Sequence, residues 1–132
     1  MNIVWFKRDL RLIDHRPLAA AIDQGELLLL LYVIEPMLIH DAHYRGRHWH
    51  FIAQSLNELN RQLQPYGTTI QALEGEAETV LKTLHQQLPI KQLFSHAETG
   101  LGLTFDRDQR IMRFCTTEGI RWQEFQSNGV QR

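Results

Sequence analysis

Leu27-Leu28-Leu29-Leu30-Leu31-Tyr32-Val33-Ile34 is an unbroken apolar run of eight residues. A strand with one face in water alternates apolar and polar residues, whereas a parallel strand covered by helices on both faces has no reason to. At eight residues the run is far short of the roughly 20 needed to span a bilayer as a helix. It reads as a buried parallel strand.

Outward from it the same alternation of strand and helix repeats. Upstream, Ile3 to Phe6 reads as a first strand, followed by a helix with Leu18, Ala21 and Ile22 on its apolar face. Asp14 is placed to cap that helix, Pro17 suits its first turn, and Gly25 stops it. Downstream, Trp49, Ile52, Ala53, Leu56, Leu59 and Leu63 recur at helical spacing until Pro65 and Gly67. Thr68 to Leu73 reads as a third strand, and Ala77, Val80, Leu81, Leu84 and Leu88 mark a third helix. Ile90 to Ser95 is a fourth strand, with Phe105, Met112 and Cys115 along a fourth helix. Arg121 to Phe125 alternates as an edge strand does.

Short connections between such elements make right-handed βαβ units. The expected fold is α/β: a doubly wound, five-stranded parallel sheet of order 3-2-1-4-5, Rossmann-like or flavodoxin-like, with helices on both faces. Ligands bind such sheets at the carboxyl ends of the strands, where the winding reverses. Lys7, Arg8 and Asp9, His96, Ala97 and Glu98, and the Ile34-Glu35-Pro36 end of the second strand would line that crevice.

The 132 residues suit one domain, read as spanning 1–132. Apolar residues make up 43% and charged residues 22%, so a core forms and disorder is disfavoured. Fourteen basic against fifteen acidic residues give a net charge of −1, which argues against tight non-specific DNA binding by this chain alone. Cys115 is the single cysteine, as expected of a reducing compartment; with no leader pattern after Met1, the cytoplasm is the expected location.

No phosphate-loop pattern follows the first strand, and Gly100-Leu101-Gly102 reads as an approach to the next helix. His40, His43, His48 and His50 beside Asp41 read as a polar loop entering a helix, with no metal site assigned. No nucleophile elbow is present, and no catalytic residue is assigned. Asp106, Arg107, Asp108, Arg110 and Arg113 read as a solvated helix face, the alternative being a docking surface.

Val4-Trp5-Phe6-Lys7-Arg8-Asp9-Leu10-Arg11-Leu12-Ile13-Asp14-His15 closely resembles the opening signature of the photolyase/cryptochrome family. The likeness continues through Tyr32 to Pro36, Arg47 to Leu59, Ser95 to Gly100, Arg107-Asp108 and Asn128-Gly129-Val130. The resemblance implies a domain that shelters a light-harvesting antenna chromophore, with a helical domain holding FAD expected after it. Antenna contacts would fall to Phe6, Lys7, Arg8, Glu35, Arg47 and Glu98. Family members using methenyltetrahydrofolate carry an Asn-Glu pair where this chain has Leu103-Thr104. That departure points away from folate and leaves a deazaflavin, a flavin, another chromophore or none.

The parent protein is accordingly expected to be a DNA photolyase, a carbon-carbon lyase that repairs ultraviolet-damaged DNA through its helical domain. Two alternatives are a cryptochrome-type blue-light photoreceptor and a free-standing nucleotide-binding module. Ending at Arg132, the chain is expected to be an excised or truncated first domain, inactive alone. Without its helical partner, its exposed crevice face is expected to self-associate.

Overall fold

The computed structural model describes residues 1–36, 46–98 and 102–126, the side chains of 46–48 and 103 excepted. Five strands form one parallel sheet: β1 (Asn2–Phe6), β2 (Leu28–Ile34), β3 (Ile70–Glu74), β4 (Gln92–His96) and β5 (Arg121–Phe125). Their spatial order is β3-β2-β1-β4-β5, the expected doubly wound arrangement. In register, Phe6 stands opposite Tyr32 of β2, and Trp5 stands opposite Ser95 of β4.

Among the described residues the α-helices that cover the sheet are α1 (Arg16–Asp23), α2 (Gly46–Leu63), α3 (Ala77–Gln87) and α4 (Gly102–Glu118). Every residue of β1 is buried, because the central strand has helices above and below it. Val4, Phe6, Tyr32 and Phe94 pack with Leu18 and Ala21 of α1 and Leu59 and Leu63 of α2. Ile3, Trp5, Leu31 and Leu93 pack on the opposite face with Val80 and Leu81 of α3 and Ile111 and Phe114 of α4. The continuous apolar run of β2 is thus divided between two cores. Cys115 lies in the second of them, where burial pushes its thiol pKa up to about 11.

Several local expectations are corrected. Asp14 does not cap α1: it takes a left-handed backbone, φ 55°, and the next residue takes the role. His15 Nδ1 accepts the Leu18 backbone N–H at 3.1 Å. Ile22 is 62% exposed and lies off the buried face of α1. On α4, Phe105 and Met112 point to solvent, while Ile111 and Phe114 make the sheet contact. β3 begins at Ile70, two residues later than expected, and β4 runs from Gln92 to His96 where Ile90 to Ser95 was expected.

Two glycines act where expected or where the site needs them. Gly25, φ 70°, ends α1, since a left-handed residue cannot continue the helix. Gly75, φ 143°, donates its N–H to the Ile34 carbonyl at 3.0 Å, tying β3 to the end of β2 just before Glu35.

Candidate functional site

The winding reverses between β1 and β4, so the connections after these two strands leave in opposite directions. At their carboxyl ends lies a cavity of about 360 Å³, within the range of small-molecule sites. Trp5, Phe6, Tyr32 and Phe51 supply aromatic wall, Leu10, Val33 and Ile52 aliphatic wall, and Ser55 a hydroxyl. Lys7, Arg8, Arg11, Glu35, Glu98 and Arg107 supply the charge.

The charged groups are organised around one guanidinium. Arg107 is 2% exposed, against the expectation of a solvated face. Its Nη1 donates to Glu35 Oε1 at 2.8 Å, its Nη2 donates to Glu98 Oε1, and its Nε donates to Asp108 Oδ1 at 3.0 Å. An arginine is suited to this because its planar fork presents several donors at once. Burial works against its charge, but the three carboxylates outweigh burial and raise its pKa.

Glu35 experiences the opposite balance. Burial, reinforced by the neighbouring Glu98, pushes its carboxyl up to about 7 despite the pull of Arg107. Lys7 Nζ donates to the His96 carbonyl at 3.0 Å and lies 3.8 Å from Glu98. Burial pulls the Lys7 pKa down from its ordinary value, with Asp108 and Glu98 opposing. The cavity wall therefore holds a carboxyl group that exchanges a proton near neutrality beside two paired cations.

Behind this wall Asp9 ties three elements together. Its Oδ1 accepts the Lys7 backbone N–H at 2.6 Å, and its Oδ2 lies 2.6 Å from His96 Nδ1. His15 Nε2 is also 2.6 Å from Oδ2, in an approach too oblique for a well-formed hydrogen bond. Burial alone would raise the Asp9 pKa, but the contacts with His15, His96 and the Lys7 N–H hold it well below the usual carboxylate range.

Asp9, His15 and His96 offer ligand atoms within 4.8 Å of one another, the spacing of a metal site. The chemistry of His15 disfavours that use. Its Nδ1 lone pair is committed to the Leu18 N–H, so Nε2 carries the proton of the neutral ring. A metal on Nε2 would require a ring without either proton. The cluster is a buried latch that orders the loop leaving β1.

Of the residues expected at the site, Phe6, Lys7, Arg8, Glu35 and Glu98 all line the cavity. Arg47 belongs to the first turn of α2, but its side chain lies outside the described residues. His40, Asp41, His43, Gly100 and Leu101, and the side chains of His48 and Leu103, also lie outside them; Thr104, beside Leu103, is buried. Sequence reasoning missed Arg107, since its neighbours Asp106 and Asp108 made it look like an exposed ion pair. It also missed His15, whose place directly before Arg16-Pro17 is a usable helix-start signal.

Comparison with known proteins agrees with this geometry. The family model for DNA photolyase matches residues 2–131. The chain is 31% identical over 123 residues to cryptochrome DASH of Synechocystis sp., covering 89% of this chain and 25% of that protein. It is 28% identical over 134 residues to a deoxyribodipyrimidine photo-lyase of Vibrio cholerae, covering 98% and 28%. The crystal structure of a Synechocystis cryptochrome superposes with a TM-score of 0.87 at 26% identity, over 97% of this chain and 27% of that one. An archaeal photolyase from Sulfolobus tokodaii, solved with two FAD molecules, shares the fold with a TM-score of 0.82 at 22% identity, over 100% and 32%. The chain spans only 18–28% of the length of the curated relatives it matches.

Proposed function

The chain belongs to the DNA photolyase family, and on that premise we propose that it is the antenna-chromophore domain of a light-driven DNA photolyase. The parent protein would use light to return ultraviolet-induced pyrimidine dimers in DNA to separate bases, as a carbon-carbon lyase. The family binds FAD and a second, antenna chromophore; here FAD is assigned to a helical domain following this one, which also meets the DNA. This stretch then collects light and performs no bond chemistry itself.

The observation that carries the reading is the cavity at the carboxyl edge. Aromatic side chains on several sides suit a flat ring system, and Glu35, Glu98 and Arg107 offer fixed acceptors and donors for its polar edges. A bound antenna would supply absorption of blue or near-ultraviolet light and pass the energy on. The chain's own residues bind and orient it. Trp5, Phe6 and Tyr32 exclude water from its faces, Glu35 holds or releases a proton at its edge, and Arg8 and Arg11 bring positive charge to the wall for an anionic substituent. With Leu103-Thr104 in place of Asn-Glu, a deazaflavin or flavin is favoured over folate.

Among the described residues no helix is long and apolar enough to cross a membrane. Separately, the single cysteine, Cys115, supports a cytoplasmic location as part of this proposal. A second reading, a cryptochrome photoreceptor, is supported by the relatives that bear that name. The test is to express the whole reading frame containing this chain, record its absorption spectrum, and assay dimer-containing DNA under blue light. A flavin spectrum with a second absorber and light-dependent repair is the expected result. A flavin spectrum without repair replaces photolyase by cryptochrome, and no bound chromophore overturns both.

A further inference from the structure

Trp5 stands on the wall of the cavity. It is 1% exposed, lines the cavity, and has two cations against its ring. Lys7 Nζ lies 4.3 Å from the ring centroid and the Arg107 guanidinium carbon 4.8 Å from it. A second indole, Trp122, stands 6.2 Å away, with Lys7 Nζ 5.8 Å from its ring. Ser95 Oγ accepts the Trp122 Nε1–H at 3.0 Å and holds that ring in place.

Indole is among the most easily oxidised side chains. A photo-excited aromatic occupant of the cavity is a strong one-electron oxidant next to it. In the competing step one electron leaves the Trp5 ring, making an indole radical cation, and the occupant is reduced by that electron without any proton moving. Each such event destroys an excitation before it can be passed on. A positive charge a few ångströms from the ring makes a second positive charge there costly, most of all in a site shielded from water.

We propose that Lys7 and Arg107 hold Trp5 in its reduced state beside the excited antenna, so that the excitation survives long enough to be transferred. The inference rests on the antenna reading above and adds a role for two of its residues. Glu98 pairs with both cations, and Glu35 and Asp108 pair with Arg107. The groups placed over the ring itself are the cations. Ordinary packing explains a buried tryptophan, but it does not call for two buried charges on it, which burial penalises.

The test is the excited-state lifetime of FMN, used as the probe, bound to the full chain at protein excess. Lys7→Met is expected to shorten the lifetime of bound FMN by about tenfold, since loss of one close charge speeds electron loss from the indole. Lys7→Arg, which keeps the charge, is expected to restore the long lifetime. Adding Trp5→Phe to Lys7→Met removes the electron donor and is expected to restore it as well. A bound-FMN lifetime that is unchanged by Lys7→Met, or shortened but not recovered with Trp5→Phe, overturns the inference and leaves the antenna reading standing. Folded protein that binds neither FMN nor a deazaflavin overturns the antenna reading and this inference with it.

Discussion

Glu35 and Asp9 are both buried carboxyl groups but titrate in opposite directions. Glu35 is raised to about 7 in the folded protein from an ordinary 4.5, so the folded state prefers it protonated. Its stabilising contribution is complete below about pH 4.5 and disappears as pH rises through 7. Asp9 is lowered, so its contribution is present above its unfolded value of 3.8 and is lost as pH falls further. Glu35→Gln is therefore expected to flatten the decline in thermal stability between pH 4.5 and 7 while leaving the acid limb intact, as read from melting temperatures across pH. Arg107 makes a stronger demand. Arg107→Leu leaves Glu35 and Glu98 without their partner in a buried site, and a loss of about 3–5 kcal/mol in urea unfolding is expected.

At the scale of the element, the start of α1 and the exposed side of α4 each separate sequence pattern from structural role. His15 accepts the orphan N–H of Leu18, and Asp14 does not, so His15→Ala is expected to cost about 1–2 kcal/mol. Asp14→Gly relieves a left-handed residue and is expected to change stability by less than about 0.5 kcal/mol. Chemical denaturation of the two variants checks the assignment, and a larger loss at Asp14 contradicts it. On α4, Phe114→Ala is expected to cost about 3–5 kcal/mol, because the side chain is buried in the core cluster and stands edge-on to His85 of α3. Phe105→Ser is expected to change stability by no more than about 0.5 kcal/mol, since Phe105 is 63% exposed. Both are phenylalanines on one helix, and only their register against the sheet distinguishes them.

At the scale of the whole molecule, three exposed apolar side chains belong to segments that follow the carboxyl ends of the strands. Ile13 follows β1, Phe51 lies in the second turn of α2, and Phe105 opens α4; all three are more than half exposed. Exposed apolar side chains of this kind are what a following domain would cover. The isolated chain is expected to self-associate with rising concentration, and Phe51→Ser combined with Phe105→Ser to weaken it. Sedimentation across a dilution series checks this, and a strictly monomeric wild-type chain contradicts it.

The order of the sheet, its parallel sense and the location of the crevice were legible in the sequence, because they follow from local pattern. A continuous apolar run such as Leu27 to Ile34 has to be covered on two sides, and alternating strands and helices leave few ways to do so. Lys7, Arg8, Glu35 and Glu98 were legible for the same reason: residues just past strand ends meet at one edge. Arg107 was not. Whether an arginine on a charged helix faces water or the interior depends on what stands opposite it, and Glu35 is 72 residues away in the chain. The Arg107 guanidinium over Trp5 and the contact of Asp9 with His96 are equally non-local. Spacing along the chain determines which residues share a helix or a strand; only the packing of helix on sheet brings charges from different elements within bonding distance, and that packing decided the chemistry of the site.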